Sequence, residues 1–98
     1  MPIMDYQVEH QENSDQGAFY VQIEGHRRAE MVYTRVHLSV IRINHTEVDK
    51  SLAGQGIGRK LLDELVRWAR ATGTKVLVAC PFARAQFDKD PSIRDVLT

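Results

Sequence analysis

The feature that most constrains this chain is a change of period at Gly54-Gln55-Gly56-Ile57-Gly58. Before these glycines apolar residues recur at every second position, and after them they recur at helical spacing. Phe19, Val21 and Ile23 alternate with Tyr20, Gln22 and Glu24, which predicts a half-buried strand. Tyr6, Val8 and His10 share one face of a shorter strand before it, and Glu12 to Gly17 reads as the intervening turn. Ala29, Met31 and Tyr33 carry a third strand after the tight Glu24-Gly25-His26 connection. A fourth is expected from about Ser39 to Glu47, with Ile41 and Ile43 in phase. Its leading turn, around Arg35-Val36-His37-Leu38, is placed only by the change of phase.

Past the glycines, Ile57, Leu61, Leu62, Leu65, Val66 and Ala69 form one apolar stripe, and Gly73 stands where a helix-ending glycine belongs. Lys75 to Cys80 reads as a short strand covered on both faces. Pro81 suits the first turn of a following helix that Phe82, Ala83 and Phe87 pack down. Pro91 stops that helix, and a last helical segment is expected from Ile93 to Leu97. The order is four antiparallel strands, a long helix, a fifth strand parallel to the fourth, and a short helix. The fold class expected is therefore α/β (α+β), a mixed sheet of about five strands, in one domain over residues 1–98.

Composition narrows the function classes. The formal net charge is zero, with 13 basic and 13 acidic residues, so no basic face points to nucleic acid. A single cysteine excludes an internal disulfide and fits a reducing compartment. The first residues carry no basic-then-apolar leader, and no apolar run has the length of a membrane span. A cytoplasmic location with no membrane partner is expected. Scattered histidines and one cysteine show no metal-like spacing, so no metal is expected.

The glycine turn follows a strand and opens an amphipathic helix. A helix start presents unpaired N–H groups and partial positive charge, and glycines let an anion approach the backbone. The spacing G-x-G-x-G is not the G-x-G-x-x-G of a dinucleotide fold, and Arg59 stands where a Walker loop needs its second glycine. Taken alone, the turn serves equally well as a glycine-rich helix start without a ligand.

Ala53-Gly54-Gln55-Gly56-Ile57-Gly58-Arg59-Lys60-Leu61-Leu62 resembles the acetyl-CoA-binding motif R/Q-x-x-G-x-G/A of the GNAT acetyltransferase superfamily. His45-Thr46-Glu47-Val48 and Cys80-Pro81-Phe82 resemble its minimal, single-domain branch. Ala53 departs from the motif, which prefers Arg or Gln there, so one polar contact to the cofactor is absent.

The resemblance implies a sheet whose fourth and fifth strands splay apart to admit acetyl-CoA as cosubstrate. The pantetheine arm would pair with Thr46 to Val48, and the pyrophosphate would sit on the N–H groups of Gln55, Gly56, Ile57, Gly58, Arg59 and Lys60. It also places Cys80 beside the thioester, as a nucleophile or as a neighbour of the leaving thiolate. By sequence alone Cys80 reads either as an inert buried thiol or as one activated at a helix start. His45 and Glu47, at the end of the fourth strand, are candidate bases toward an acceptor amine. The tyrosine that many family members carry in the last helix as general acid is missing from Phe82-Ala83-Arg84-Ala85-Gln86-Phe87-Asp88. The function expected is acetyl transfer to an unidentified amine, the alternative being a non-catalytic CoA-binding sensor or scaffold.

Overall fold

The computed structural model describes residues 6–98. Its elements are β1 (Glu9–Asn13), β2 (Gln16–Ile23), β3 (His26–His37), β4 (Val40–Val48), α1 (Ile57–Thr72), β5 (Lys75–Val78) and α2 (Pro81–Lys89). Short 3-10 turns at Lys50–Leu52 and Pro91–Val96 complete the chain. The strands lie in the order β1-β2-β3-β4-β5. The first four are antiparallel, and β5 pairs parallel with β4 through the α1 crossover.

One core joins the sheet to both helices. Phe19, Val21, Met31, Tyr33, Ile41, Ile43 and Val76 from the sheet meet Leu61, Leu62, Leu65 and Val66 of α1 and Ala83 and Phe87 of α2. The α1 stripe is buried as its spacing requires, and Gly73 closes the helix in the left-handed region at φ 70°. Arg42, His45, Glu47 and Leu77 lie on the other face of the sheet, which no helix among the described residues covers.

Four expectations are corrected. The Glu12–Gly17 turn shrinks to Ser14-Asp15, because Glu12 is drawn into β1 by Arg35 Nε at 2.7 Å and the Tyr33 hydroxyl at 2.7 Å. Conversely, Tyr6 and Val8 precede β1, although both pack against the core. The β3–β4 turn is Leu38-Ser39, since β3 continues to His37. Finally, β5 ends at Val78 and is covered on one face only, with Leu77 43% exposed. Its apolar run reflected neither two-sided burial nor a six-residue strand. Cys80 instead becomes the residue that caps α2.

Candidate active site

The site is a fork in the sheet. Val40 to Ile43 of β4 pair with Lys75 to Val78 of β5, and the Ala79 N–H donates to the Ile43 carbonyl at 2.9 Å. There the parallel ladder stops. At the same place β4 bulges against β3: Tyr33 pairs with Ile43 and Val32 pairs with His45, leaving Asn44 over. Such a bulge bends its strand and strengthens the local twist. β4 continues to Val48 on β3 alone, so its edge toward β5 is free of ladder partners from Asn44 onward.

The bulge also decides which side chains face which way. Thr46 pairs with Met31 and Val48 with Ala29, both core residues, so Thr46 and Val48 face the helices. His45 pairs with Val32 and Glu47 with Glu30, so both candidate bases face the uncovered side.

On the helix side, a cleft of about 480 Å³ runs from the open β4 edge to the start of α1. Thr46 and Val48 form one wall, Leu52 to Gly54 with Gly56 to Arg59 the floor, and Phe82, Gln86 and Lys89 of α2 the other wall. The glycines work in two ways. Gly54 and Gly56 take φ 79° and 71°, a conformation side chains rarely adopt. Gly58 is an ordinary helical residue, but a Cβ on it would lie 2.8 Å from the Phe82 ring, so it admits α2. Gly56 is the residue before α1 and supplies no side-chain cap. The first intrahelical bond is Lys60 N–H to the Gly56 carbonyl at 3.1 Å. The N–H groups ahead of it, at Ile57, Gly58 and Arg59, therefore lack intrahelical partners.

This geometry sorts the expected cofactor residues. Thr46, Val48, Gly56, Ile57, Gly58 and Arg59 line the cleft. Gln55 and Lys60 do not: the Lys60 N–H is spent inside the helix, and its side chain borders a separate depression beside Tyr6 and Val8. The Arg59 guanidinium is held by Asp63 at 2.8 Å, Gln86 at 3.1 Å and Asp90, which ties α1 to the end of α2. Hydrogen bonds to Asp63 and Asp90 raise its pKa. Asp90 is lowered to about 2, first by the Ser92 hydroxyl and next by Arg59. Gln86 and Lys89 were missed by sequence reasoning, and Phe82, expected to pack α2 down beside Ala83 and Phe87, instead lies exposed in the cleft wall. Their only signal was a helix start at Pro81, which says nothing of what the helix faces.

Cys80 sits at the apex of the fork, 2% exposed, with Sγ 3.3 Å from Thr46 Oγ1. His45 is solvent-accessible on the opposite face, its Nε2 3.8 Å from Glu30 Oε2. The arrangement is thus a buried thiol in contact with Thr46 of the cleft wall, with His45 and Glu47 on the opposite face of the sheet. Among the described residues no helix is long and apolar enough to cross a membrane.

Comparison with known proteins relates the chain to one family and to three solved structures. The family profile described as GCN5-related N-acetyl-transferase matches residues 18–96. A GCN5-like putative N-acetyltransferase from Staphylococcus aureus is 35% identical, with a TM-score of 0.70 over 92% of this chain and 87% of that one. A ribosomal-protein alanine N-acetyltransferase from Escherichia coli shares the fold at 21% identity and a TM-score of 0.63, over 79% of this chain and 52% of that one. A third, AAC(6')-Iy, was solved with a CoA-S-monomethyl-acetylneamine bisubstrate analogue; it is 13% identical, with a TM-score of 0.52 over 83% of this chain and 62% of that one. The chain thus spans about half the length of the Escherichia coli enzyme. No curated protein sequence matches it significantly.

Proposed function

The chain belongs to the GCN5-related N-acetyltransferase family and is by that membership an acyltransferase; we propose that it binds acetyl-CoA in the β4–β5 fork and transfers the acetyl group to an amine. The observation that carries this reading is the meeting of two sets of unsatisfied backbone groups in one cleft. The free edge of β4 offers hydrogen bonds to the amides of a pantetheine arm, and the uncapped start of α1 offers N–H groups to a pyrophosphate. The pyrophosphate rests on Ile57, Gly58 and Arg59 N–H, with Lys89 as the nearby cation. The arm runs along Thr46 to Val48, which brings the thioester to the apex beside Cys80.

Two steps then balance. The Cys80 sulfur attacks the acetyl carbonyl, the bond from that carbon to the CoA sulfur breaks, and the CoA thiolate takes the thiol proton. Next the acceptor amine attacks the acetyl-cysteine from the open face. It loses its proton to His45 or Glu47, the Cys80 thiolate leaves, and that proton returns to the sulfur to restore the thiol. Thr46, at 3.3 Å, accepts from the thiol or donates to the thiolate, and so orients the sulfur. His45 and Glu47 face away from the cleft, so cofactor and acceptor approach from opposite faces of the sheet.

Incubation with acetyl-CoA followed by intact-mass measurement tests this directly. The expected product is a single acetyl adduct on Cys80, discharged when a suitable amine is added. Failure of acetyl-CoA to protect the thiol from iodoacetamide, together with no adduct and no binding, would overturn the assignment.

A further inference from the structure

The uncovered face holds a second cluster. Glu30 and Glu47 stand directly opposite one another in the β3–β4 register, and His45 lies two residues before Glu47 on the same face. Like charges opposed across antiparallel strands cost a sheet stability, so a cation between them is favoured. Arg27 approaches Glu30 only from Oε1, at 3.6 Å, while Oε2 is turned to His45 Nε2. One donor atom from each of Glu30, His45 and Glu47 lies within 4.8 Å of the other two.

We propose that Glu30, His45 and Glu47 bind a divalent transition cation of the Zn²⁺ type on the open face of the sheet. Bonds of about 2.0–2.2 Å to carboxylate oxygen and imidazole nitrogen require these atoms to close by roughly an ångström, which side chains at this exposed surface can do by small rotations. Three protein ligands leave a position for water, as in an open rather than a closed site. The imidazole selects a transition metal over Mg²⁺ or Ca²⁺, which prefer oxygen alone. Sequence spacing could not show the site, because two ligands alternate along one strand and the third comes from its neighbour.

The site also bears on transfer, and that consequence rests on the acceptor-side reading above. A cation held by His45 and Glu47 occupies the lone pairs that would take the amine proton. Acetyl-CoA binding on the other face would be unaffected.

Untagged protein, freed of metal by chelator, is titrated with ZnCl₂ by calorimetry, with and without acetyl-CoA. One equivalent should bind in both cases. His45→Ala and Glu47→Gln should each weaken binding by about tenfold or more. His37→Ala, which removes an exposed histidine at the far end of β3, should not. MgCl₂ at the same concentration should give no heat. Zinc affinity unchanged in both His45→Ala and Glu47→Gln, or equal binding of Mg²⁺, would overturn the site. If zinc binds as expected but leaves acetyl transfer untouched, the metal site stands and the two residues are not the bases. If zinc does not bind, the metal site falls while the adduct on Cys80 can still be observed.

Discussion

The two ends of the sheet treat their polar groups in opposite ways. At the β1–β3 end, the Tyr33 hydroxyl donates to Glu12 at 2.7 Å and accepts from His10 Nε2 at 2.7 Å, while Arg35 holds both Glu12 oxygens. His10 stacks on Phe19 with ring centres 4.0 Å apart, and Trp68 closes the cluster edge-on. Arg35 brings Glu12 down to about 2, and burial pushes the Tyr33 hydroxyl well above its ordinary value. At the β4–β5 end, the strand edge from Asn44 onward and the helix start have no ladder or side-chain cap partners among the described residues. Neither difference follows from composition. A fully bonded network stabilises the fold, whereas unpaired backbone groups facing one cleft are places for a ligand.

The comparison breaks most sharply at Cys80. Cys80→Ala removes the sulfur at the price of a small cavity, so acetyl-CoA binding should persist while transfer falls by about two orders of magnitude or more. Transfer retained within a few-fold in that variant would mean direct attack by the amine on the thioester. Next in size is Gly56→Glu, which sets a carboxylate where the pyrophosphate should rest and should cost about tenfold to a hundredfold in acetyl-CoA affinity, read by calorimetry. It also forces a side chain into φ 71°. Gly25→Glu, at φ 81° in the β2–β3 turn with open space around it, carries that strain alone and should leave affinity unchanged.

The bonded end should respond in stability rather than in binding. Gly17→Ala places a Cβ 2.2 Å from the Tyr33 ring. The overpacking should lower unfolding free energy by roughly 1–3 kcal/mol in a denaturant titration. Acid tests the same network. Because the Glu12 pKa in the fold lies below its ordinary value of 4.5, its contribution is full above that pH and is lost as pH falls toward about 2. After solvent screening the loss should be about 1 kcal/mol. Glu12→Gln should remove that share of the acid-dependent slope, and an unaltered slope would assign it to other carboxylates.

How far the sequence could be read divides along the same line. The α1 stripe, the Gly73 stop and the parallel β4–β5 pairing follow from period and punctuation, because each is local or joins neighbouring elements. Thr46, Val48 and the Gly56-to-Arg59 floor of the cleft were visible through a motif. Three things were not. The bulge at Asn44, which turns His45 and Glu47 to the open face, depends on register against β3 and has no marker in β4 itself. The polarity of Glu12 suggested a turn, although its partners Tyr33 and Arg35 lie more than 20 residues away and hold it in a strand. The tie of Arg59 to Asp90 likewise spans two helices, so its guanidinium braces the α2 wall while its N–H stays on the floor of the cleft.

That bracing supports the smallest expected effect. If Arg59 acts by bracing α2, then Arg59→Gln should weaken acetyl-CoA binding only a few-fold, and the loss should respond weakly to added salt. Lys89, exposed at the mouth of the cleft, differs in kind. A mobile cation facing a pyrophosphate contributes through screened attraction, so Lys89→Gln should cost a comparable few-fold at low ionic strength and almost nothing near 1 M salt, where screening extends only about 3 Å. Measuring both variants across a salt series separates the roles. A steep salt dependence carried by Arg59 and not by Lys89 would show that the guanidinium leaves Asp63 and Asp90 to reach the phosphate, and that the wall rearranges on binding. A flat response in both would place the cofactor's charge deeper, on the backbone N–H groups of Ile57 to Arg59 alone.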